Sequence, residues 1–419
     1  MLRKPDPSWI VAGAASLTFG FVRGLHTSFA VFFVALLDTF QWSRGVTAGL
    51  QSASLIMDAL VSPFIGRLTD RLGPRRVVAA GGVLLAAGLV LCSQVSTAWE
   101  LYLYFGVVMS LGFAASGVVP HVVVVSEWFP TRRGLVLGIV YGAVGVGTLI
   151  LSPLSQWLIS LWGWPRVFQV LAAAILIAVV PLVWSTYRPS PHDARTATGS
   201  GGASAGQWSV RLALRSIQFW SLFVSRLLGS IGTVLVITHQ VAHVVDIGYG
   251  HIWAAGVFGV MAFVSAAGRV TFGYIADAFT KRAAYTLNIV CASVGVTALT
   301  LATDTAHPWL LYVYVGGFGI AFGSRAVILS AITADIFSGR GFGTIFGLSV
   351  ASVGFGGAAG AWLGGALHDL TGDYVASFNV ANGLLISSVV AVWVTGLDWM
   401  RRFDRRLWPD DPAVAKGND

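Results

Sequence analysis

The chain has 419 residues, of which 56% are hydrophobic and only 11% are charged. Because about a quarter of the residues of a soluble domain carry a charge, this composition excludes an ordinary soluble protein and is typical of a membrane protein. The formal net charge of +8 would suit a nucleic-acid-binding protein, but the basic residues lie where they indicate membrane topology instead.

Hydrophobic segments long enough to cross a bilayer recur along the whole chain. A membrane-spanning helix needs about 20 predominantly apolar residues. The sequence predicts twelve spans, at residues 9–36, 45–66, 77–95, 99–126, 135–160, 167–186, 217–243, 251–276, 283–303, 308–332, 343–367 and 374–399. Both cysteines lie inside these spans, so no disulfide framework is predicted. We interpret the first stretch as a retained helix because eleven further spans follow it.

The positions of the Lys and Arg residues orient the predicted spans. With a cytoplasmic N-terminus, twenty of the 26 basic residues lie in termini and cytoplasmic loops, whereas only Arg44 and Arg166 lie on the opposite side. This asymmetry follows the positive-inside rule and predicts that both termini are cytoplasmic. The net positive charge therefore reports topology, and no nucleic-acid partner is predicted. Compact loops and short termini favour a bacterial inner (plasma) membrane.

The two halves of the chain carry matching motifs at a constant offset. The paired positions lie 207 or 208 residues apart: Gly66-Arg-Leu-Thr-Asp70 and Gly273-Tyr-Ile-Ala-Asp277, Glu127-Trp-Phe129 and Asp335-Ile-Phe337, and Asp38 and Asp246. The sequence therefore predicts an all-α polytopic membrane protein with two six-helix bundles of the same orientation, at 1–186 and 217–400, and a cytoplasmic tail at 401–419. Parallel repeats of this kind occur in a large class of transporters whose substrate site lies between the halves.

Residues 187–216 are predicted to be a cytoplasmic linker between the two bundles. The segment is rich in Gly and Ser, which is typical of a flexible coil, and its end, 207–215, alternates apolar and basic residues as an interfacial helix does. The chain has no phosphate-binding Gly-Lys-[Ser/Thr] loop and no His-Glu-x-x-His or Cys-x-x-Cys cluster, and its loops are too short for a soluble catalytic domain. No enzymatic activity, metal or cofactor is predicted.

The loop after the second span carries a motif that resembles the loop signature of the major facilitator superfamily. The motif is Gly66-x-x-x-Asp70-Arg71-x-Gly73-x-Arg75-Arg76. The span count and the duplication extend this resemblance over the whole chain and imply the fold of that superfamily. Asp70 can accept hydrogen bonds from a helix N-terminus or pair with a cation, so we expect it to latch a conformation, with Asp277 as its counterpart. Arg75 and Arg76 either share this role or only orient the chain.

Within the superfamily, the chain resembles the branch of monocarboxylate transporters and oxalate:formate antiporters. The resemblance lies in Glu127-Trp-Phe-Pro-Thr-Arg-Arg-Gly-Leu-Val-Leu-Gly138 and in Arg269, late in the eighth span. In that branch an arginine at this place binds the substrate carboxylate, which the resemblance assigns to Arg269. Animal monocarboxylate transporters carry a proton-coupling Asp one turn earlier, where this chain has Ser265, and the oxalate exchanger carries a Lys in the eleventh span, where 343–367 has no Lys or Arg. Neither coupling scheme is carried over intact.

Four arginines, Arg23, Arg226, Arg269 and Arg325, lie inside predicted spans. An unpaired charge in hydrocarbon costs from about 3 to more than 10 kcal/mol, so such residues are usually functional. We expect Arg269 to bind a carboxylate through its planar guanidinium; the alternative is a structural pairing with helix carbonyls or an acid. Arg23 and Arg325 are candidates for further anion contacts, whereas Arg226 lies near its helix start and is expected to be structural.

Asp58 is the one acid away from the ends of the predicted spans, since Glu100 and Asp398 lie within two residues of a span end, which makes Asp58 a candidate for proton coupling. Burial favours the protonated form of a carboxyl group and a nearby arginine favours the ionised form, so a substrate that occupies the arginine would trigger proton uptake. The alternative is a permanent ion pair or an inter-helix hydrogen bond.

Other polar and small residues in the spans suggest further contacts. His26 lies three residues after Arg23 and shares its helix face, and His239 and Gln240 lie in the seventh span; each is a candidate to face the substrate path, with a packing residue as the alternative. The glycine runs 141–147 and 354–360 fall in equivalent spans and predict close helix packing.

These features together predict a secondary transporter that exposes one central site to each side of the membrane in turn. The substrate is a small organic anion such as a monocarboxylate, bound through Arg269 and carried with protons or in exchange for another anion, by a monomer in the lipid bilayer. One alternative is a facilitator or exporter of a neutral or cationic solute such as a drug, although the charges away from the span ends, four arginines against one aspartate, favour an anion. Another is a non-transporting receptor or sensor.

Overall fold

The structure is a computed structural model that describes residues 7–40, 44–188, 208–337, 339 and 341–395. The tail at 401–419 and most of the predicted linker lie outside these residues. Nearly all of the described chain is helical.

The first half begins with a helix that is interrupted at Ser28, whose hydroxyl donates to Gly24 O at 2.8 Å. Its elements are α1 (Pro7–Thr27), α2 (Phe29–Phe40), α3 (Arg44–Leu72), α4 (Pro74–Cys92), α5 (Ala98–Leu101), the π-helix π1 (Tyr102–Met109), α6 (Ser110–Ala115), α7 (Val118–Trp128), α8 (Arg133–Trp162), α9 (Trp164–Ala174), π2 (Ile175–Val179) and α10 (Val180–Thr186). Gly73 separates α3 from α4 with a φ of 80°, a conformation that glycine adopts without steric cost. Pro74 follows at the first helical position, where its missing N–H is no loss.

The second half contains α11 (Val210–Arg215), α12 (Ile217–Asp246), α13 (His251–Ala278), α14 (Lys281–Leu301), α15 (Trp309–Ala321), α16 (Ser324–Ile336), α17 (Phe342–Thr371) and α18 (Val375–Val394). Ser216 separates α11 from α12 and caps the longer helix, because its side chain accepts from Phe219 N at 3.2 Å. The segment predicted to be an interfacial helix therefore contains a six-residue helix, α11, that ends at a serine cap.

The helices confirm the predicted all-α polytopic fold. Among the described residues, eleven helical stretches are long and apolar enough to cross a membrane. Three of them, 98–128, 164–186 and 309–336, are made of shorter consecutive elements. The remaining predicted span corresponds to α3, a helix of 29 residues, or about 44 Å at 1.5 Å per residue. Its sequence includes Gln51, Asp58 and Pro63, which make it less apolar than the other spans.

Residue contacts divide the chain into two compact units. The first unit comprises Met1–Pro130, Val140–Ser200 and Phe346–Ala351, and the second comprises Thr131–Ile139, Gly201–Ile345 and Ser352–Asp419. Each unit therefore consists mainly of one half of the sequence and includes one short helical segment of the other half.

The glycine runs make close helix contacts of the same kind in both units. In the first unit, a Cβ built on Gly147 of α8 would lie 2.0 Å from Gly20 O of α1. In the second unit, a Cβ built on Gly360 of α17 would lie 2.3 Å from Ile231 O of α12. Since real Cβ atoms do not approach so closely, these pairs of helices reach their separation only because the side chains are absent.

Candidate functional site

In the first unit, Arg23 and Asp58 form an ion pair between α1 and α3. Arg23 Nη2 lies 3.1 Å from Asp58 Oδ2, and the two side chains are 21% and 24% exposed. The pair brings together two of the residues that the sequence singled out separately. The one acid away from the ends of the predicted spans thus has an arginine partner, as the ion-pair alternative for Asp58 requires.

A chain of buried polar groups lies next to this pair in the first unit. His26 Nε2 lies 3.2 Å from Ser54 Oγ, and Ser54 Oγ accepts from Ser110 Oγ at 2.7 Å. The His26 ring also packs edge-on against Phe113, with centroids 4.7 Å apart. Since Ser110 begins α6 directly after π1, the interruption of this span supplies a hydroxyl to the chain. Sequence reasoning found His26 but not its serine partners, because serines are common in membrane helices.

In the second unit, the tenth predicted span is not continuous. We expected one helix over 308–332, but α15 ends at Ala321 and α16 begins at Ser324, with Gly323 between them at φ 80°. Ser324 Oγ donates to Ile320 O at 2.9 Å and Asn288 Nδ2 donates to Ala321 O at 3.3 Å. These bonds satisfy two carbonyls that lose helical partners at the break.

The guanidinium of Arg269 lies against this break. A Cβ built on Gly323 would be 2.4 Å from Arg269 Nε and 2.8 Å from Nη2. The preceding residue, Gly268, lets α13 approach closely, because a Cβ there would lie 2.0 Å from Ile320 O at the end of α15. Gly268 therefore lets the backbone next to Arg269 pack closely on the end of α15, and Gly323, at the break, leaves room for the Arg269 side chain.

The acids of the second unit lie at helix ends and in turns over the described range 208–395. They are Asp246, Asp277, Asp304, Asp335, Asp369 and Asp373. The predicted spans of this unit carry Arg226, Arg269 and Arg325 instead. Arg226 Nη2 donates to Thr333 Oγ1 at 3.1 Å. Within the predicted spans, the described residues of this unit therefore carry arginines and no acid.

Arg325 lies one residue beyond the start of α16. Its guanidinium packs on Gly229 of α12, where a Cβ would lie 1.8 Å from Nη1, and it lies near the Tyr285 hydroxyl. Arg325 also lines a cavity of about 10 Å³ together with Asn288 and Gly323, which is about the volume that one water molecule needs. The contacts of Arg325 are thus with other helices of its own unit.

The two remaining candidates of the seventh span lie in different surroundings. Gln240 is buried, and its Oε1 accepts from the Tyr314 hydroxyl. His239 lies near the end of α12, where its Nε2 is 3.0 Å from Ala361 O and its ring packs on that of Tyr374 at a centroid distance of 5.3 Å. Gln240 joins α12 to α15, whereas His239 joins α12 to α17 and the turn before α18.

Asp277 caps a helix within the second unit. Its carboxylate accepts from Gly134 N at 2.9 Å and from Leu135 N at 2.7 Å, at the start of α8. A carboxylate there satisfies free N–H groups and interacts favourably with the helix dipole. Next to it, Asp335 pairs with Arg133 at 3.0 Å and with Lys281 at 2.7 Å. Sequence reasoning identified Asp277 but missed this ionic cluster, since its members are more than fifty residues apart.

The matching motif in the first unit spans the turn between α3 and α4. Gly66, Asp70 and Arg71 lie in the last turns of α3, and Arg75 and Arg76 lie in the first turn of α4, after Gly73. The Arg75 guanidinium lies over the Trp184 ring at 4.2 Å from its centroid, a cation–π contact. Arg75 therefore also packs within its unit, and the expectation that Asp70 latches a conformation stays a prediction.

Comparison with known proteins identifies relatives along most of the chain. A family model described as Major Facilitator Superfamily matches residues 12–329. Monocarboxylate transporter 13 of Rattus norvegicus is 29% identical over 396 residues, covering 92% of this chain and 90% of the relative. Monocarboxylate transporter 11 of Homo sapiens is 29% identical, covering 90% of this chain and 81% of the relative.

Solved structures match the fold at lower sequence identity. The transporter FucP in its outward conformation has a TM-score of 0.70 at 13% identity, covering 94% of this chain and 99% of that one. The proton:xylose symporter XylE has a TM-score of 0.70 at 13% identity, covering 92% and 95%. Both similarities concern the fold.

Proposed function

The chain belongs to the major facilitator superfamily, and on that premise we propose that it transports a small organic anion, specifically a monocarboxylate. The relatives named above are transporters of this superfamily, which are not enzymes. The proposal concerns the substrate, the residues that bind it and the coupling of its transport.

The observation that carries the proposal is the charge distribution inside the second unit. In the described part of that unit, three arginines lie inside predicted spans, and the acids lie at helix ends and in turns. A cation would be repelled from such an interior, and an anion would be attracted to it. This supports an anionic substrate over a cationic drug.

Arg269 is our candidate for the carboxylate-binding residue. Its guanidinium offers two parallel N–H donors that match the two oxygens of a carboxylate. It lies at the break between α15 and α16, and broken helices form the substrate sites of several transporter families. The names of the relatives add support for a monocarboxylate. Arg23, Arg325, His26, His239 and Gln240 remain candidates for further contacts.

We assign proton coupling to Asp58 because its partner is Arg23. A substrate carboxylate that binds Arg23 competes with Asp58 for the same cation, and protonation of Asp58 frees the arginine for the substrate. Proton symport follows from this exchange of partners. Anion exchange is the alternative, in which a second anion takes the place of the proton.

We further propose the remaining features of the transporter. The protein spans the membrane many times, and the proposal places it as a monomer in a bacterial inner membrane with both termini cytoplasmic. Bundles at 1–186 and 217–400, joined by the linker 187–216, would then move relative to each other as alternating access requires.

Arg269→Lys tests the proposal, because it keeps the charge and removes the planar pair of donors. We expect uptake of labelled lactate, pyruvate and acetate into proteoliposomes to fall by at least about 100-fold, equivalent to about 2.7 kcal/mol. The control is Arg166→Lys, which makes the same change at an exposed arginine in the first turn of α9 and is expected to leave uptake unchanged.

Near-normal uptake by Arg269→Lys would refute the assignment of this residue. Flux of organic cations, with no flux of carboxylates, would favour a drug exporter instead. Purified protein that binds a carboxylate without any flux would indicate a receptor. Uptake driven by an acid-outside gradient indicates symport, whereas uptake that requires an anion inside the vesicle indicates exchange.

A further inference from the structure

Gly323 lies where the tenth span breaks, and its missing side chain makes room for a charged group of another helix. A Cβ at Gly323 would lie 2.4 Å from Nε, 2.8 Å from Nη2 and 3.0 Å from Cζ of Arg269. The Arg269 guanidinium therefore packs against the glycine backbone itself. Any side chain at residue 323 would force the guanidinium to move.

The surroundings of Gly323 leave the arginine little freedom to adapt. Gly268, directly before Arg269, packs against Ile320 O so closely that a Cβ there would be 2.0 Å from the oxygen. A Cβ on Gly138 of α8 would lie 2.5 Å from Arg269 O. Since the backbone of Arg269 is held on both sides, a clash at Gly323 must be relieved by the side chain.

We propose that Gly323 is a positioning residue for the anion site, which sets the orientation of the Arg269 guanidinium and thereby the affinity for a carboxylate. This inference rests on the proposed role of Arg269 in binding. Carboxylate recognition by a guanidinium depends on the alignment of two hydrogen bonds, so a displacement of about 1 Å can lower the rate by about 100-fold. The residue itself need not touch the substrate.

The test is Gly323→Ala with Gly372→Ala as the matched control. Both glycines follow the end of a helix in the left-handed conformation, with φ and ψ of 80° and −26° at Gly323 and 83° and −4° at Gly372. They differ in their surroundings, because a Cβ on Gly372 has nothing within 4 Å. Both variants therefore place alanine in a left-handed backbone conformation, but only Gly323→Ala introduces a clash with Arg269.

We expect Gly323→Ala to raise the KM for lactate at least about tenfold, while Gly372→Ala changes it less than about twofold. A second readout is thermal unfolding of the detergent-purified protein. Gly323→Ala should lower the Tm more than Gly372→Ala does, and the excess should vanish when Arg269→Ala is present in both variants, because the clashing atoms are gone. Such non-additivity is the signature of a direct contact.

An equal KM for the two alanine variants overturns the inference, and so does an excess loss of Tm that persists with Arg269→Ala. If Gly323→Ala alone does not fold, recovery of folding in the double variant supports the inference and continued failure overturns it. Failure of this inference can be distinguished from failure of the proposed function, because the two are tested by different measurements. Normal uptake by Arg269→Lys refutes the carboxylate role, whereas the Tm comparison reports the contact between Gly323 and Arg269 without any substrate.

Discussion

In the proposed coupling, the ion pair of Arg23 and Asp58 links a proton to an anion. At 3.1 Å the carboxylate of Asp58 occupies a guanidinium that could otherwise bind a substrate carboxylate. The two carboxylates compete for one cation, so the arginine becomes available when Asp58 carries a proton. Partial exposure of both side chains leaves the pair accessible to this exchange.

Asp58→Asn removes the titrating group and keeps its shape. If Asp58 couples protons to transport, wild-type uptake should rise as the external pH falls, since protonation releases Arg23. We expect the variant to lose this dependence on pH, because an amide cannot be ionised and leaves Arg23 free at every pH. The measurement is initial lactate uptake into proteoliposomes over a range of external pH.

Asp304→Asn provides a control for Asp58→Asn, because Asp304 is an exposed acid in the turn before α15. It should retain the wild-type pH profile. A wild-type profile in Asp58→Asn would show that the ion pair with Arg23 is structural and that the proton is carried elsewhere.

The charged residues were found from sequence because each interrupts an apolar span, but their partners were not. Arg23 and Asp58 are 35 residues apart in different helices, and hydropathy does not report which helix faces lie together. For the same reason, the serines next to His26 and the cluster around Asp335 appear only in the structure. Charge can be read locally, whereas pairing depends on the fold.

At the scale of helices, the two glycine runs make close contacts of the same form in each unit. α1 meets α8 at Gly20 and Gly147, and α12 meets α17 at Ile231 and Gly360. The equivalence of these spans was expected from the offset between the two halves. Their separation was also expected to be small, because glycine runs allow backbones to approach.

Gly360→Ala tests whether this close approach contributes to stability. The new methyl group would lie 2.3 Å from Ile231 O, so α12 and α17 must separate, and overpacking of this kind destabilises a protein by about 1–3 kcal/mol. Gly383→Ala is the control, because Gly383 also lies within a helix, α18, and a Cβ there has nothing within 4 Å.

The two glycine variants should change stability in opposite directions. Alanine is favoured over glycine in a helix by about 1 kcal/mol, so Gly383→Ala should raise the free energy of unfolding that Gly360→Ala lowers. Denaturant titration in detergent measures both. A stability gain in Gly360→Ala would contradict the close packing.

The break at Gly323 marks the limit of sequence reasoning about helices. The apolar run over 308–332 predicts one span, and its four glycines, Gly316, Gly317, Gly319 and Gly323, look alike in a hydropathy profile. Gly323 differs only through its neighbours, because Ser324 and Asn288 hydrogen-bond to the carbonyls at the break. The dipeptide Gly323-Ser324 was the one local sequence feature that indicated a break in this helix.

For the whole molecule, the duplicated motifs in the sequence predicted the fold. The contacts at the start of α8 could be found only from the structure. Residues 131–139 belong to the second unit, although the rest of α8 belongs to the first. Asp277 holds this segment through Gly134 N and Leu135 N, and Arg133 adds an ion pair with Asp335. A local motif identified Asp277, but its partner helix could not be inferred from spacing.

Asp277→Asn tests whether this cap latches one conformation of the transport cycle. The amide can still accept a hydrogen bond but lacks the negative charge, so the variant loses the favourable interaction with the helix dipole, about 0.3–1 kcal/mol and up to about 2 kcal/mol when partly buried. This corresponds to a change of about 2-fold to 30-fold in the balance of conformations. The maximal rate of lactate transport should change accordingly. Its KM should change less, because Asp277 lies two helical turns from Arg269 along α13.

Asp277→Glu and Asp369→Asn complete the experiment. Glutamate retains the charge and should restore part of the wild-type rate, and Asp369→Asn removes a charge that is 86% exposed at the end of α17, so it should have no effect. If the charge at residue 277 only stabilised folding, Asp277→Asn would lower the Tm and the amount of folded protein without changing the rate per folded molecule. A changed rate at unchanged Tm, rescued by glutamate, would instead mean that the cap must form and break during transport.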